Sequence, residues 1–257
     1  MTTRRPFPSM EILGIRVDQV PLAGLLTFLR DGGHSEGPVS VYYLNPHIWN
    51  LAQDDPDLRA ALDAADVVWC DGVGILMAAR ILGKRLLARM TVPDFIDEVC
   101  RQCVADDRSL YFLGGEEGVA WRAGDILEQR HPGLKVVGCH HGHLRGPEEE
   151  MRVVEEIRQL APDLLLVGMG SPRQELWIAR NLDKLNVEVG WAVGALFDHV
   201  SGRIARAPRW VSKCAFEWLY RLMVEPRRLW RRYLLGNTRF LAAVIAARLS
   251  GVQARKF

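Results

Sequence analysis

Negative charge is nearly absent from the last fifth of this 257-residue sequence: beyond position 202 only Glu217 and Glu225 are acidic, against 13 Lys and Arg. Residues 1–202 have the opposite balance, with 29 Asp and Glu against 20 Lys and Arg, so a net charge of only +2 conceals an acidic body and a basic tail. A tail of this kind suits anionic lipid, phosphorylated substrate or nucleic acid. A disulfide framework is also missing. Five cysteines at irregular spacing suit free thiols in a reducing compartment. Cys100-Arg-Gln-Cys103 sits inside a helical pattern with Phe95 and Val99, which makes it core packing and not a redox pair. No apolar run is long enough to span a bilayer; Gly236-Asn237 and Arg239 interrupt the run before the short stretch Phe240 to Ala247. No apolar segment follows the arginines and prolines of the first ten residues, so no signal peptide is expected and a cytoplasmic location is. Neither G-x-G-x-x-G nor G-x-x-x-x-G-K-[ST] occurs, which leaves dinucleotide and P-loop sites unsupported.

What is present is a globular composition, 49% hydrophobic and 25% charged, enough to bury a sizeable core. Short β-prone runs alternate with helical patterns. Extended segments are predicted over 11–20, 39–44, 67–70, 109–113, 134–139, 163–167 and 187–193. Helices are predicted over 22–29, 47–53, 56–64, 74–82, 92–104, 119–130, 148–160 and 173–181. The run at 163–167 is apolar throughout, as strands buried on both faces are. This alternation predicts an α/β fold of Rossmann-like units, a mostly parallel sheet with flanking helices. From Arg209 onward the pattern becomes all-helical, so we expect a catalytic body over 1–202 and a helical appendage over 203–257.

The stretch Ala65 to Gly74 stands out because a buried run ends abruptly in Asp71 between small residues. In an open α/β sheet, ligands gather at the carboxyl ends of strands, which is where Asp71 is expected; a plain turn or helix cap explains an isolated Asp-Gly equally. Three predicted strand exits carry glycine: Asp71-Gly-Val-Gly74, Leu113-Gly114-Gly115 and Gly168-Met-Gly170. Glycines there let a phosphate or sugar approach the backbone closely. Cys139-His140-His141-Gly142-His143 crowds four nitrogen or sulfur donors into five residues, but adjacent donors converge poorly on one ion, so a polar exit loop is the expectation and no metal site is assigned. Ser171 with Gln174 fits a capping box at the start of a helix, and Gln174 can still present its amide to a sugar hydroxyl. In the tail, Arg221, Arg228 and Arg231 share one face at helical spacing, interleaved with Trp and Tyr of the kind found at membrane interfaces.

Together these motifs resemble the WecG/TagA/CpsF glycosyltransferases, bacterial enzymes that extend undecaprenyl-diphosphate-linked saccharides from nucleotide sugars. The resemblance runs from about Val39 to Phe240. It rests on Asn45-Pro46, Asp71-Gly-Val-Gly74, Phe112-Leu-Gly-Gly115, the run 131–134, Pro162 to Gly168, Pro172-Arg-Gln-Glu175, Phe197-Asp198, Arg206-Ala-Pro208, Glu217 to Leu222 and Glu225-Pro226. It implies Asp71 as catalytic base and Gln174 in the sugar site, with Asn45, Gly114, Gly115, Gly170, Asp198 and Arg206 as further substrate-binding candidates. It also implies that Arg221, Arg228 and Arg231 hold the acceptor diphosphate. Tyr43 and the segment Thr91-Val92-Pro93-Asp94 depart from the family pattern near the implied sugar pocket, so Tyr43, Thr91 and Asp94 are candidates for donor choice, which stays open between N-acetylmannosaminyl, glucosyl and other hexosyl groups. The implied chemistry is inverting, metal-independent and free of cofactors. The implied partners are a nucleotide-sugar donor, a polyprenyl-diphosphate-linked acceptor and the inner face of the bacterial cytoplasmic membrane, with no nucleic acid; self-association is compatible with this reading. The α/β pattern alone also admits a nucleotide-sugar epimerase or dehydrogenase, and the basic tail alone admits a non-catalytic accessory subunit; the missing dinucleotide fingerprint and Asp71 argue against these in turn.

Overall fold

A computed structural model describes residues 5–31, 37–87, 89–205 and 217–251 of the protein. Its body is one eight-stranded sheet with helices on both faces. In chain order the elements are β1 (Ser9–Ile12), β2 (Ile15–Asp18), α1 (Leu22–Arg30), β3 (Val39–Leu44), α2 (Pro46–Asp54), α3 (Pro56–Ala64), β4 (Val67–Cys70), α4 (Val73–Ile81) and α5 (Val92–Ala105). There follow β5 (Ser109–Gly114), α6 (Val119–Arg130), β6 (Lys135–His140), α7 (Pro147–Leu160), β7 (Leu164–Gly168), α8 (Arg173–Asn181), β8 (Val189–Ala192) and α9 (Leu196–Val200). Three helices close the described chain: α10 (Glu217–Val224), α11 (Pro226–Trp230) and, after a π-helical turn Arg231–Leu235, α12 (Gly236–Leu249). None of the described helices is long and apolar enough to cross a membrane.

The strands lie in the order β1-β2-β4-β3-β8-β7-β5-β6, parallel except for the β1–β2 hairpin. Alternating side chains feed two cores. Tyr42, Leu44, Val68, Cys70, Tyr111, Leu113, Leu165 and Val167 face one, while Val41, Val67, Trp69, Leu110, Phe112, Leu164 and Leu166 face the other. This period of two, with both faces buried, is why the parallel strands read as unbroken apolar runs. The strand entries are pinned by the same device twice. Asp66 accepts from the Ser40 amide at 2.8 Å and Asp163 from the Ser109 amide at 2.7 Å, which ties β4 to β3 and β7 to β5 at the end remote from the loops described below.

Local sequence explains the helix starts. Asn45 caps α2 by accepting from the His47 and Ile48 amides, and Asp55 caps α3 the same way, each followed by a proline whose missing N–H costs nothing at that position. The Ser171–Gln174 capping box does not form. The Ser171 hydroxyl donates instead to Glu175 Oε1 at 2.8 Å, and the Gln174 amide nitrogen bonds the Gly170 carbonyl. A buried carboxylate one turn away is the stronger acceptor, so the hydroxyl is drawn to it. Cys100 and Cys103 are buried along α5, where loss of solvent pushes each thiol up to about 12, in keeping with packing.

Gly236 and Asn237 interrupt the apolar run without interrupting the helix. The Gly236 carbonyl accepts from Asn50 Nδ2 at 2.8 Å, and Phe240 and Val244 bury into the core on the α2 side, with Phe240 edge-on to Trp49 at 5.3 Å between centroids. The last helix is therefore seated on α2 and α4.

Candidate active site

The carboxyl ends of β3, β4, β5, β7 and β8 open into a cleft of about 470 Å³. Asp71 follows β4. Its amide donates to the Leu44 carbonyl at 2.9 Å, which extends the β3–β4 pairing one residue into the turn. The two glycines beside it are dictated by geometry. Gly72 turns the chain at φ +96°, a region side chains disfavour, and a Cβ on Gly74 would lie 2.4 Å from Pro46 Cγ, so only glycine lets α4 start against α2.

The Asp71 carboxylate is held from both sides. Thr91 Oγ1 donates to Oδ1 at 3.1 Å and Asn45 Nδ2 donates to Oδ2 at 3.3 Å. Asn45 does two jobs at once, since its other amide atom caps α2. A second cavity, of about 420 Å³, meets the first at Asn45, His47, Asp71, Thr91 and Arg232, and runs between α4 and the C-terminal helices. Its walls are largely apolar, with Met77, Ala78, Ile81, Phe240, Leu241 and Val244 prominent. Asp71 thus stands at the junction of a polar cleft and a hydrophobic channel.

The polar cleft carries cations and hydrogen-bonding groups near its floor and rim. Gly115, Gly142 and the segment 168–171 contribute to the lining, and Arg173 and Arg203 bring guanidinium groups. Arg203 is paired with Asp198 at 2.8 Å and also with Glu116, which bridges the loop after β5 to the turn after α9. At the junction, burial and then the nearby Arg232 depress the His47 imidazole to about 4, so this ring is uncharged at neutral pH. Burial raises the Tyr43 phenol well above its ordinary value, with the Glu175 and Asp71 carboxylates adding to the effect, and the hydroxyl stays a neutral donor.

Half of the candidate site residues singled out in the sequence gather here. Tyr43, Asn45, Asp71, Thr91, Gly115, Gly170 and Asp198 line the cleft. Others stand elsewhere. Gln174 is fully buried: its amide nitrogen donates to Tyr43 Oη at 3.2 Å and Glu175 Oε1 at 2.7 Å, and its oxygen accepts from the Gly194 amide at 3.2 Å. It holds the wall of the cleft without lining it. Gly114 packs beneath on the Gly168 backbone, and Asp94 lies exposed in the first turn of α5 outside the lining residues. Arg231 is exposed beside the Trp230 ring, 5.3 Å from its centroid, and lines neither cavity. Arg206 falls outside the described residues, as do the side chains of Arg221 and Arg228. Arg232, His47, Arg173 and Arg203 were not anticipated. His47 adjoins the Asn45-Pro46 motif and Arg173 lies within Pro172-Arg-Gln-Glu175, and those motifs were the available signal.

This arrangement, a carboxylate at the C-terminal edge of a parallel sheet between a polar and an apolar cavity, coincides with a family assignment. The Glycosyl transferase WecG/TagA/CpsF family matches residues 10–254, and the chain belongs to that family. It is a glycosyltransferase. Among its relatives is the N-acetylglucosaminyldiphosphoundecaprenol N-acetyl-beta-D-mannosaminyltransferase of Bacillus spizizenii, 29% identical over 201 residues that cover 78% of this chain and 76% of that one. The enzymes of the same name from Bacillus subtilis and Staphylococcus aureus are 29% and 27% identical, covering 74% and 86% of this chain and 73% and 87% of theirs.

Proposed function

We propose that this glycosyltransferase moves a hexosyl or N-acetylhexosaminyl group from a nucleotide sugar, UDP-linked in first place, to a polyprenyl-diphosphate-linked saccharide during bacterial surface or exopolysaccharide synthesis. The observation that carries this reading is the position of Asp71 where the two cavities meet. The polar cleft suits a nucleotide sugar, and we assign the offsetting of the donor diphosphate's developing charge to Arg173 and the glycine-bearing loops of its lining. The apolar channel suits the lipid side of the acceptor, with Arg232 at its mouth for a diphosphate. The relatives' names specify an undecaprenyl-diphosphate acceptor, in agreement with this division.

In the reaction, the Asp71 carboxylate takes the proton of the acceptor hydroxyl as that oxygen attacks the anomeric carbon. The bond from the anomeric carbon to the donor diphosphate breaks on the opposite face, its electron pair leaves with the nucleoside diphosphate, and the configuration inverts. Asn45 and Thr91 keep the carboxylate in place, and each of its oxygens can accept more than one bond.

The tail supplies acceptor contact and membrane docking. Ten of the sixteen large hydrophobic side chains exposed among the described residues lie between Trp218 and Leu249, alongside exposed Arg227, Arg231, Arg239 and Arg248. Apolar and cationic side chains mixed in this way suit helices lying in the headgroup region of an anionic membrane. We assign 1–202 to donor binding and catalysis, and 203–257 to acceptor and membrane contact, with Arg221 and Arg228 as further diphosphate candidates. The test is to incubate the protein with a panel of UDP- and GDP-sugars and a lipid-diphosphate saccharide. Sugar transfer from one donor class supports the reading; hydrolysis or epimerisation of the nucleotide sugar without transfer opposes it.

A further inference from the structure

Beyond the cleft, three side chains converge that the glycosyl-transfer reading leaves unused. His140 at the end of β6, His141 just after it and Glu149 in the first turn of α7 bring one donor atom each to within 4.8 Å of one another. The two Nε2 atoms face the same carboxylate oxygen, Glu149 Oε1, at 3.9 Å from His140 and 3.6 Å from His141. All three side chains are sheltered, between 15% and 19% exposed.

The bonds around this cluster orient its donors. The Arg145 backbone N–H donates to Glu149 Oε2, leaving Oε1 for the rings. His140 Nδ1 lies 2.8 Å from the His141 carbonyl. A carbonyl only accepts, so Nδ1 carries the proton there, and the Nε2 that faces Glu149 has its lone pair free in the neutral ring. A ring N–H tied to a backbone carbonyl while the other nitrogen ligates is the common arrangement of metal-binding histidines.

We infer that His140, His141 and Glu149 form a binding site for a borderline divalent cation, Zn²⁺ in first place, through two imidazole nitrogens, one carboxylate oxygen and a water. Nitrogen donors select against Mg²⁺ and Ca²⁺, which take oxygen shells. Tetrahedral ligands at about 2.0–2.1 Å from an ion lie roughly 3.4 Å apart, so the two imidazole–carboxylate pairs at 3.9 and 3.6 Å need only a slight contraction and the trio as a whole closes in from within 4.8 Å. The Cys139 thiol stays out, because it donates to the Ala120 carbonyl at 3.7 Å. Ligation through His141 Nε2 places that ring's proton on Nδ1, at the expense of the long 3.3 Å bond from the His143 amide. The ion would clamp the start of α7 to the loop after β6, whose Gly142 and His143 line the cleft.

The test uses the untagged full-length protein, treated with chelator and dialysed, then titrated with Zn²⁺ by calorimetry and with Co²⁺ by visible absorption. We expect one saturable site per chain, a four-coordinate Co²⁺ spectrum, and at least about tenfold weaker binding in His140→Ala, His141→Ala and Glu149→Gln. Cys139→Ala should bind as the parent does. Thermal melting confirms that each variant is folded, and Glu149→Gln, which only replaces one carboxylate oxygen by an amide nitrogen, secures the comparison. The inference is overturned by absence of saturable uptake at micromolar Zn²⁺, by uptake indifferent to all three substitutions, or by a thiolate-to-Co²⁺ charge-transfer band that Cys139→Ala removes.

Discussion

Arg231 and Arg232 are adjacent in sequence and opposite in surroundings. Arg231 is exposed beside Trp230, whereas Arg232 lines both cavities and its charge reaches His47 and Tyr43. Arg232→Lys should therefore raise the acceptor KM or lower kcat by about tenfold or more, because lysine loses the planar two-pronged donor, while Arg231→Lys should transfer sugar nearly normally. Steady-state kinetics on a lipid-diphosphate acceptor checks the pair, and equal effects would remove Arg232 from the diphosphate assignment. Helical spacing places Arg221, Arg228 and Arg231 on one face of an uninterrupted α-helix, but the break at Glu225-Pro226 resets the phase between Arg221 and the other two. His47 gives a second prediction at this scale. Its pKa falls from 6.5 to about 4 in the folded protein, so between those values the unfolded chain binds more protons. The stability associated with the neutral ring is intact above about pH 6.5 and lost as pH falls toward 4. The melting temperature should drop between pH 7 and 5, and His47→Asn should drop less; an identical drop in both would show that His47 does not contribute.

Among the elements, α12 links the tail to the body. Its Gly236 carbonyl accepts from Asn50, and Phe240 and Val244 pack into the core beside Trp49. Phe240→Ala should cost about 3–5 kcal/mol, as large-to-small changes in a packed core do, and should also weaken acceptor binding because Phe240 walls the apolar channel. Denaturant unfolding and the acceptor KM measure the two effects, and an unchanged midpoint would mean that α12 only rests on the body. The parallel strands and the longer helices of the body were legible in the sequence, because each strand is a short apolar run between turn residues and each of these helices has its own stripe; the five-residue α9 was not, being too short to show a periodic pattern. Helix α3 begins where Asp55-Pro56 demands it. The seating of α12 was not legible. Charge and aromatic content marked 203–257 as distinct, yet which face of a basic helix packs inward depends on partners such as Asn50 and Trp49, nearly two hundred residues away. Gln174 was misplaced for a related reason: its spacing from Ser171 fits a cap, while the buried Glu175 and the Tyr43 hydroxyl compete for both groups.

For the molecule as a whole, the acidic body and basic tail give the protein a polarity suited to a membrane surface. Binding to vesicles that contain anionic lipid should weaken steeply with salt, since each basic residue near the surface contributes about 1 kcal/mol through a screened interaction. Trp230→Ser should reduce vesicle binding while leaving transfer to a short-chain, soluble acceptor intact, because Trp230 lines neither cavity. Salt-independent binding to neutral vesicles would contradict docking through charge. The central claim is that Asp71 removes the acceptor proton at the meeting point of the two cavities. The most direct measurement is transfer of a radiolabelled sugar to a lipid-diphosphate acceptor by the parent enzyme and by Asp71→Asn, at saturating donor and with donor affinity measured separately. Asparagine can keep the bond to the Thr91 hydroxyl and preserves the shape of the side chain, so the account predicts unchanged donor affinity and a fall in kcat of roughly two to four orders of magnitude. Turnover close to that of the parent enzyme in Asp71→Asn would contradict it.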